Sequence, residues 1–314
     1  MDEIVTTTQR QKERAEKIGK VSRVIYKSLT ILVVIVMVVY CFTMMYPIIW
    51  MLLTSVKDGD FEYTGNMLGL PQAFKIQNYA DVWDKLYIDK VRTDGAVVRY
   101  YVPEMLGFSV FYCVFAAVWG ELMQVNTAYA MSKYKFVGNK FFYTAGIVMM
   151  LTPIMGTTTA ALRLGRLLGV YDNVVMYVLT SPCTCFSGFS FLLLYNTFKG
   201  IPDEYGDSVE IDGGGHLAKY FYVYLPMIFP TAMVQMVLGF LASWNNYSAF
   251  LFWLPSYPYL ALAMYNIQQK ASLWGMSMPD IMAGFAIVCI PSAIVYFASQ
   301  KSIMSKLRVG GLKG

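Results

Sequence analysis

From Ser28 to Leu53 the chain runs without one charged side chain. That is longer than the roughly 20 apolar residues a helix needs to cross the hydrocarbon core of a bilayer. Inside lipid, every backbone N–H and C=O must be satisfied within the chain, so a run of this kind folds as a membrane-spanning helix. It also exceeds the roughly 7–15 apolar residues of a signal peptide, and no small-x-small cleavage site follows it, so it is read as an uncleaved first span. Similar runs recur at about 105–131, 141–161, 176–198, 223–244 and 281–299. Composition agrees, with 57% hydrophobic and 14% charged residues, against roughly 25% charged in a soluble domain. The expected fold class is an all-α membrane protein with six transmembrane helices.

Charge sets the expected orientation. Of the 25 Lys and Arg, seven lie in the polar segment 1–27, three in 132–140, two (Lys199 and Lys219) around an acidic stretch, and four in the tail 301–314. The alternate segments hold fewer over many more residues: six in 54–102, two in 162–175, and Lys270. The positive-inside rule puts both termini in the cytoplasm, with multi-pass insertion in a cytoplasmic membrane of bacterial type. The domain plan is a basic N-terminus (1–27), a six-span membrane domain (28–300) and a tail (301–314). On this plan Lys133 and Lys135 label only from the cytoplasmic side. The net charge of +5 follows this asymmetry and does not indicate a nucleic-acid partner.

Several chemistries are disfavoured. Cys41, Cys113, Cys183, Cys185 and Cys289 all sit in or beside apolar runs and read as packing residues. The Cys183-x-Cys185 pair stands in a chain with one histidine, so no metal site is expected. One histidine also cannot ligate haem from both sides. Gly213 to Gly215 are not followed by Gly-Lys-Ser/Thr, so they do not form a phosphate-binding loop. No catalytic residue and no cofactor is expected on this chain.

The polar interruptions carry the function. Residues 54–102 are expected to form a small extracytoplasmic excursion, with Asp94-Gly95 marking a hairpin. Residues 162–175 read as an amphipathic surface segment and 245–278 as a loop. A break is expected at Thr152-Pro153. Glu121, Gln124, Asn126 and Gln235 within the spans, and Asn245 and Asn246 just past the end of the fifth, are candidates for a substrate path, since polar groups at membrane depth face a cavity or a partner helix. Hydrogen bonding between helices is the competing reading for each. The longest polar break in the second half is Asp203–Pro230, DEYGDSVEIDGGGHLAKYFYVYLPMIFP. Its acids suit the start of a short helix, its glycines permit a tight bend, and Tyr220, Phe221, Tyr222 and Tyr224 supply an aromatic face. The alternative is an ordinary loop leading into the next span.

That stretch resembles the cytoplasmic signature of ABC importer permeases: Glu-Ala-Ala, two residues, Asp-Gly-Ala, an aromatic, Leu-Pro and a further proline. Asp207, Ser208 and Val209 stand at Glu-Ala-Ala, and Asp212, Gly213 and Gly214 at Asp-Gly-Ala. Tyr220 stands at the aromatic, followed by Leu225-Pro226 and Pro230. Tyr46-Pro47 to Lys57, Ala128 to Lys140, Ser243 to Tyr247, Trp274 to Gly284 and the glycine-basic tail fit as well, so the resemblance covers most of the chain. It is similar to the sugar-importing branch, particularly the smaller permease of maltose-type systems. Asp207, Ser208, Val209 and Gly214 depart from the usual residues, and the resemblance assigns no role to 54–102. It implies a cytoplasmic coupling helix between spans 4 and 5, in the loop 199–222, gripped by an ABC ATPase dimer. It implies contact through Glu204, Asp207, Ser208, Val209, Asp212, Gly213, Gly214, Tyr220, Leu225 and Pro226, with the tail near Lys306 to Lys313 also at the ATPases. A second homologous permease, an extracytoplasmic solute-binding protein and a sugar complete the implied set of partners, with ATP and Mg on the ATPase subunits. An importer for another small solute, or a membrane-anchor or enzyme subunit, stands as the alternative.

Overall fold

The computed structural model of the chain describes residues 2–91, 95–152, 156, 158–181, 185–270 and 275–307. Asp94, Pro153, Thr157, Cys183, Trp274 and the tail beyond Leu307 lie outside them, and the side chains of the N-terminal basic segment and of residues 301–307 are likewise outside. Among the described residues, four helical segments are long and apolar enough to cross a membrane: Ile25–Ser55, Val102–Lys133, His216–Trp244 and Met278–Gln300. The first belongs to α1 (Asp2–Ser55), which enters from the polar N-terminus without a break. Its apolar side chains are exposed along their length, and it leans on α14 (Met278–Leu307). The second is α4 (Val102–Lys133), the central helix, packed against α8 (Phe189–Gly200) and α11 (Leu225–Trp244).

The apolar runs expected as spans three and four are each divided into two short helices. The first gives α5 (Asn139–Leu151) and α6 (Thr158–Leu167), and the second gives α7 (Val174–Thr180) and α8. Thr152 ends α5 in an extended conformation, as the residue before a proline prefers. The surface segment expected from residue 162 therefore begins earlier, at Thr158.

The described residues of 54–102 form a folded cap. It holds α2 (Gly59–Gly65), α3 (Gln77–Lys85) and an antiparallel hairpin, β1 (Tyr87–Val91) with β2 (Val97–Tyr101). The hairpin read from the Asp-Gly pair is present, with Gly95 at φ +83°. Asp89 lies opposite Arg99 in the register and accepts its hydrogen bonds, while the guanidinium covers the Tyr87 ring at 3.8 Å. The cap is stitched to the spans by fully buried Lys57, which donates to the carbonyls of Asn66 and Met67. Asn78 donates to the carbonyls of Ser55 and Lys57, and Met278 N–H donates to Asp60.

The expected loop at 245–278 is not one. It contains α12 (Tyr247–Phe252) and α13 (Leu260–Lys270). Leu260, Leu262, Ala263, Met264 and Ile267 of α13 are buried. An 11-residue helix is too short to span a bilayer, so hydropathy alone passes it over; it lies instead against α4 and α14.

Buried side chains gather in two cores. One, nearer the cap, joins Val102 to Ala117 of α4 with Phe240 and Trp244 of α11, the 249–267 helices and α14. The other joins Val125 to Met131 of α4 with Phe191, Leu194 and Phe198 of α8, and Tyr220, Tyr224, Ile228 and Ala232. On α4 the two are separated by residues 118–124.

Candidate functional site

The acidic stretch folds as a helix, a turn and a second helix. Glu204–Ile211 forms α9, with Glu204 and Asp207 in its first turn, where negative charge is stabilised by the helix dipole. Asp212 ends it, and Gly213 turns the chain at φ +82°, a backbone state that side chains with a Cβ disfavour. His216–Ala218 forms α10, which passes through a π-helical turn, Lys219–Tyr224, directly into α11. The fifth apolar run was expected to begin at Val223 with its prolines at the mouth; the helix instead begins at His216 and carries Pro226 and Pro230 within it. Pro226 has no N–H and its ring crowds the preceding turn, and the wider π turn just ahead of it accommodates both.

Lys133, the last residue of α4, fixes this element. Its ammonium donates to the Ile201 carbonyl and to Asp203, each at 2.6 Å, and lies 5.0 Å from the centre of the Tyr224 ring. Its side chain is only 8% exposed. Lys219 in the π turn reaches back to Glu210 at 2.5 Å and to Asp207 at 3.9 Å. Tyr129, Tyr220 and Tyr224 pack ring against ring, and Tyr220 donates to Asn126 at 2.8 Å. Two glycines are close-approach points. A Cβ at Gly206 would lie 2.6 Å from the Tyr224 hydroxyl, and one at Gly214 would lie 2.5 Å from Cγ1 of Val209.

The signature residues Glu204, Asp207, Ser208, Asp212, Gly213 and Pro226 are exposed, Val209, Gly214 and Leu225 are half-buried, and Tyr220 is buried. Tyr205, Ile211, Leu217, Phe221 and Tyr222 expose apolar surface beside them. Gly206 and Lys133 are the contributors that sequence reasoning missed. The one available signal for Lys133 was its place in a basic loop facing an acidic one.

The membrane-depth candidates divide. Glu121, Gln124 and Gln235 meet in one cavity of about 310 Å³, walled by Ala116, Ala117, Gly120, Gly239 and Ala242, with Ser190 and Ser243. It lies at the seam between the two cores. An Oε1 atom on each of Glu121, Gln124 and Gln235 is buried without a hydrogen-bond partner. Asn126, Asn245 and Asn246 are elsewhere. Asn126 accepts from Tyr220, Asn245 donates to the Leu241 carbonyl, and Asn246 caps α12 by accepting from Ala249 N–H.

A second cavity, of about 300 Å³, lies under the hairpin between Lys90, Tyr100, Asp172 and Ser256. Lys90 donates to the Pro255 carbonyl, and Asp172 accepts from the N–H and hydroxyl of Ser256. Burial pushes the Lys90 ammonium down to about 8, against the pull of Asp172. Between pH 8 and the unfolded value of about 10.4, the folded state binds fewer protons than the unfolded one, so stability rises with pH there. Below pH 8 the cost is complete; above the unfolded value it is gone. The thermal midpoint of the solubilised protein is expected to rise from pH 7.5 to 9.5 relative to a Lys90→Met variant. Parallel midpoints for the two proteins would refute this.

No family model matches the chain. The chain is 26% identical to the inner membrane ABC transporter permease protein YcjP of Escherichia coli, over 86% of this chain and 91% of that protein. It is 25% identical to the galactooligosaccharides transport system permease protein GanQ of Bacillus subtilis, over 95% and 98%. It is 21% identical to the diacetylchitobiose uptake system permease protein NgcG of Streptomyces coelicolor, over 84% and 82%. Its fold matches a chain of a bacterial ABC transporter that imports the acidic polysaccharide alginate, with a TM-score of 0.67 at 23% identity, covering 88% of this chain and 96% of that one. The resemblance to carbohydrate-importer permeases is borne out along nearly the whole chain.

Proposed function

We propose that this chain is a permease subunit of a binding-protein-dependent ABC importer that carries a sugar or oligosaccharide into the cytoplasm. The observation that carries it is the α9–turn–α10 element, held on the ends of α4 and α8 by Lys133 and presenting an exposed face of mixed acidic and apolar character. That face is a coupling helix for an ATPase dimer, which binds ATP and Mg and performs the hydrolysis. Glu204, Asp207, Ser208, Val209 and Asp212 to Gly214 form the contact, and Tyr220, Leu225 and Pro226 pass its motion into the span. Both termini and residues 199–222 face the cytoplasm. The 54–102 cap lies outside, where a solute-binding protein delivers sugar. The divided runs at 139–167 and 174–200 complete a six-span path with a second permease. Irregular backbone at membrane depth is tolerated where protein or a water-filled cavity lines it.

The test is gentle purification of the tagged chain from its native membrane. Recovery of an ABC ATPase and a second permease is expected; recovery alone, across several detergents, overturns the reading. Orientation is read separately. The Lys133 side chain is largely covered and paired with Asp203 and labels poorly from either side, so Lys135, which is exposed, is the informative lysine. A Lys135→Cys variant is expected to react with an impermeant thiol reagent only in inside-out vesicles, measured on a background with the native cysteines replaced. Reaction in intact cells reverses the topology.

A further inference from the structure

We propose that the cavity at the seam between the two cores admits sugars without negative charge, and that Glu121 is the residue that excludes uronates. This rests on the sugar-importer reading. Three of the polar groups facing the cavity, Glu121, Gln124 and Gln235, leave an acceptor oxygen unpartnered. Gln235 has its amide direction fixed, because its Nε2 donates to the Ser190 carbonyl at 3.2 Å, so its oxygen points away from that bond. Glu121 keeps an acceptor oxygen in either protonation state. A ligand that satisfies these atoms must donate hydrogen bonds, as sugar hydroxyls and ammonium groups do.

Among the described residues, no Lys, Arg or His lines the cavity. On α4 the nearest basic residue is Lys133, twelve positions beyond Glu121, or about 18 Å at 1.5 Å per residue, and it is already bound to Asp203 and Ile201. On α8, Lys199 is nine positions from Ser190, about 13 Å along that helix. The α11 helix carries no basic residue at all. A uronate carboxylate is acceptor-only; entering here it meets the unpartnered oxygens of Glu121, Gln124 and Gln235 with no cation to neutralise it, and acceptors and negative charge left unpaired at close quarters are a strong means of rejection. The small walls, Ala116, Ala117, Gly120, Gly239 and Ala242, leave a smooth apolar floor for the face of a pyranose ring. The volume is at the lower end of ligand pockets, roughly 300–1,000 Å³, and suits one sugar unit at a time. The contrast is with the same fold in a transporter of acidic alginate.

The experiment uses the complete importer in liposomes. A panel of neutral glucose-, galactose-, xylose- and mannose-linked disaccharides, with a glucosamine disaccharide, is screened for ATP-driven uptake. The hexose-containing sugars carried are then compared with the same sugars oxidised at C6 to uronates. Uptake of the uronate form is expected to be lower by about 100-fold or more, and Glu121→Gln is expected to close most of that gap. An equal rate for the uronate, or an unchanged gap in Glu121→Gln, overturns the proposal; an unchanged gap places the filter on another subunit. Gly120→Leu gives an independent check, because a Cβ at Gly120 meets no atom within 4 Å and the side chain grows into the cavity. Its importer is expected to assemble and lose uptake of every sugar, and normal uptake places the sugar elsewhere and overturns the proposal. If the importer carries none of the sugars, neutral or oxidised, but carries an amino acid or peptide, the sugar reading itself falls, and this inference with it.

Discussion

Gly206→Ala is expected to cut ATP-driven uptake about tenfold or more while leaving the membrane spans folded. The new Cβ would sit 2.6 Å from the Tyr224 hydroxyl, 3.3 Å from Cζ and 3.4 Å from Cε2. Tyr224 is 4% exposed and has the Lys133 ammonium over its ring, so it cannot swing away without disturbing the contact that holds Asp203 and Ile201. Overpacking of this kind costs about 1–3 kcal/mol, and 1.4 kcal/mol is enough for a tenfold shift in the docked population. The hydroxyl is the closest atom, so Tyr224→Phe in the same chain is expected to recover part of the loss. The check is uptake together with the amount of ATPase recovered on the tagged permease. Wild-type behaviour for Gly206→Ala, or no recovery in the double variant, would show that α9 and Tyr224 do not bear on each other.

The second large effect concerns a compensated pair. Gly214→Ala places a Cβ 2.5 Å from Cγ1 of Val209, 3.0 Å from its carbonyl oxygen and 3.2 Å from Cβ of Ala218. Both positions depart from the importer-permease signature, one toward greater bulk and one toward less. The contact makes them one change: the valine occupies the space that an alanine at 214 would need. Gly214→Ala alone is expected to weaken ATPase recruitment by about tenfold. Val209→Ala is expected to be milder, and Val209→Ala with Gly214→Ala is expected to lie nearer the wild type than Gly214→Ala alone. The remaining 3.0 Å approach to the carbonyl keeps that recovery incomplete. A double-mutant cycle on ATPase affinity measures the coupling, expected in the range of about 0.5–3 kcal/mol for touching residues. Strict additivity would leave the two departures unrelated.

Features written in a continuous stretch of residues were legible in the sequence. The uncharged run at 28–53, the Asp-Gly hairpin and the 207–230 signature are of this kind, since local periodicity and turn chemistry determine them. Features that depend on distant approach were not. Lys133 and Asp203 are 70 positions apart, and Gly206 matters because of a hydroxyl eighteen residues on. The buried helix at 260–270 was read as loop because it is shorter than a span, and the run at 176–198 was read as one span because hydropathy does not register a helix break; the break in 141–161 was legible from Thr152-Pro153, where α5 ends. The cavity candidates divided for a related reason: an Asn or Gln looks alike in sequence whether it faces a void or closes a hydrogen bond, and only Glu121, Gln124 and Gln235 face the void.

The passage of α10 through the π turn into α11 gives the protein a single rod from His216 to Trp244. At about 1.5 Å per residue it is roughly 43 Å long. One end carries the face beside Gly213, and the seam cavity meets the rod between Gln235 and Ser243. If that end docks as proposed, a lever of that length pivoting near Gly213 and tilting by about 10° would sweep its far end sideways by roughly 7.5 Å, more than the width of a water molecule. On that proposal, small angular work at the surface would become a wide stroke at the opposite mouth, provided the rod stays stiff. The π turn, with one looser coil beside a proline, is the place where that stiffness is weakest, and it sets how much of the stroke arrives.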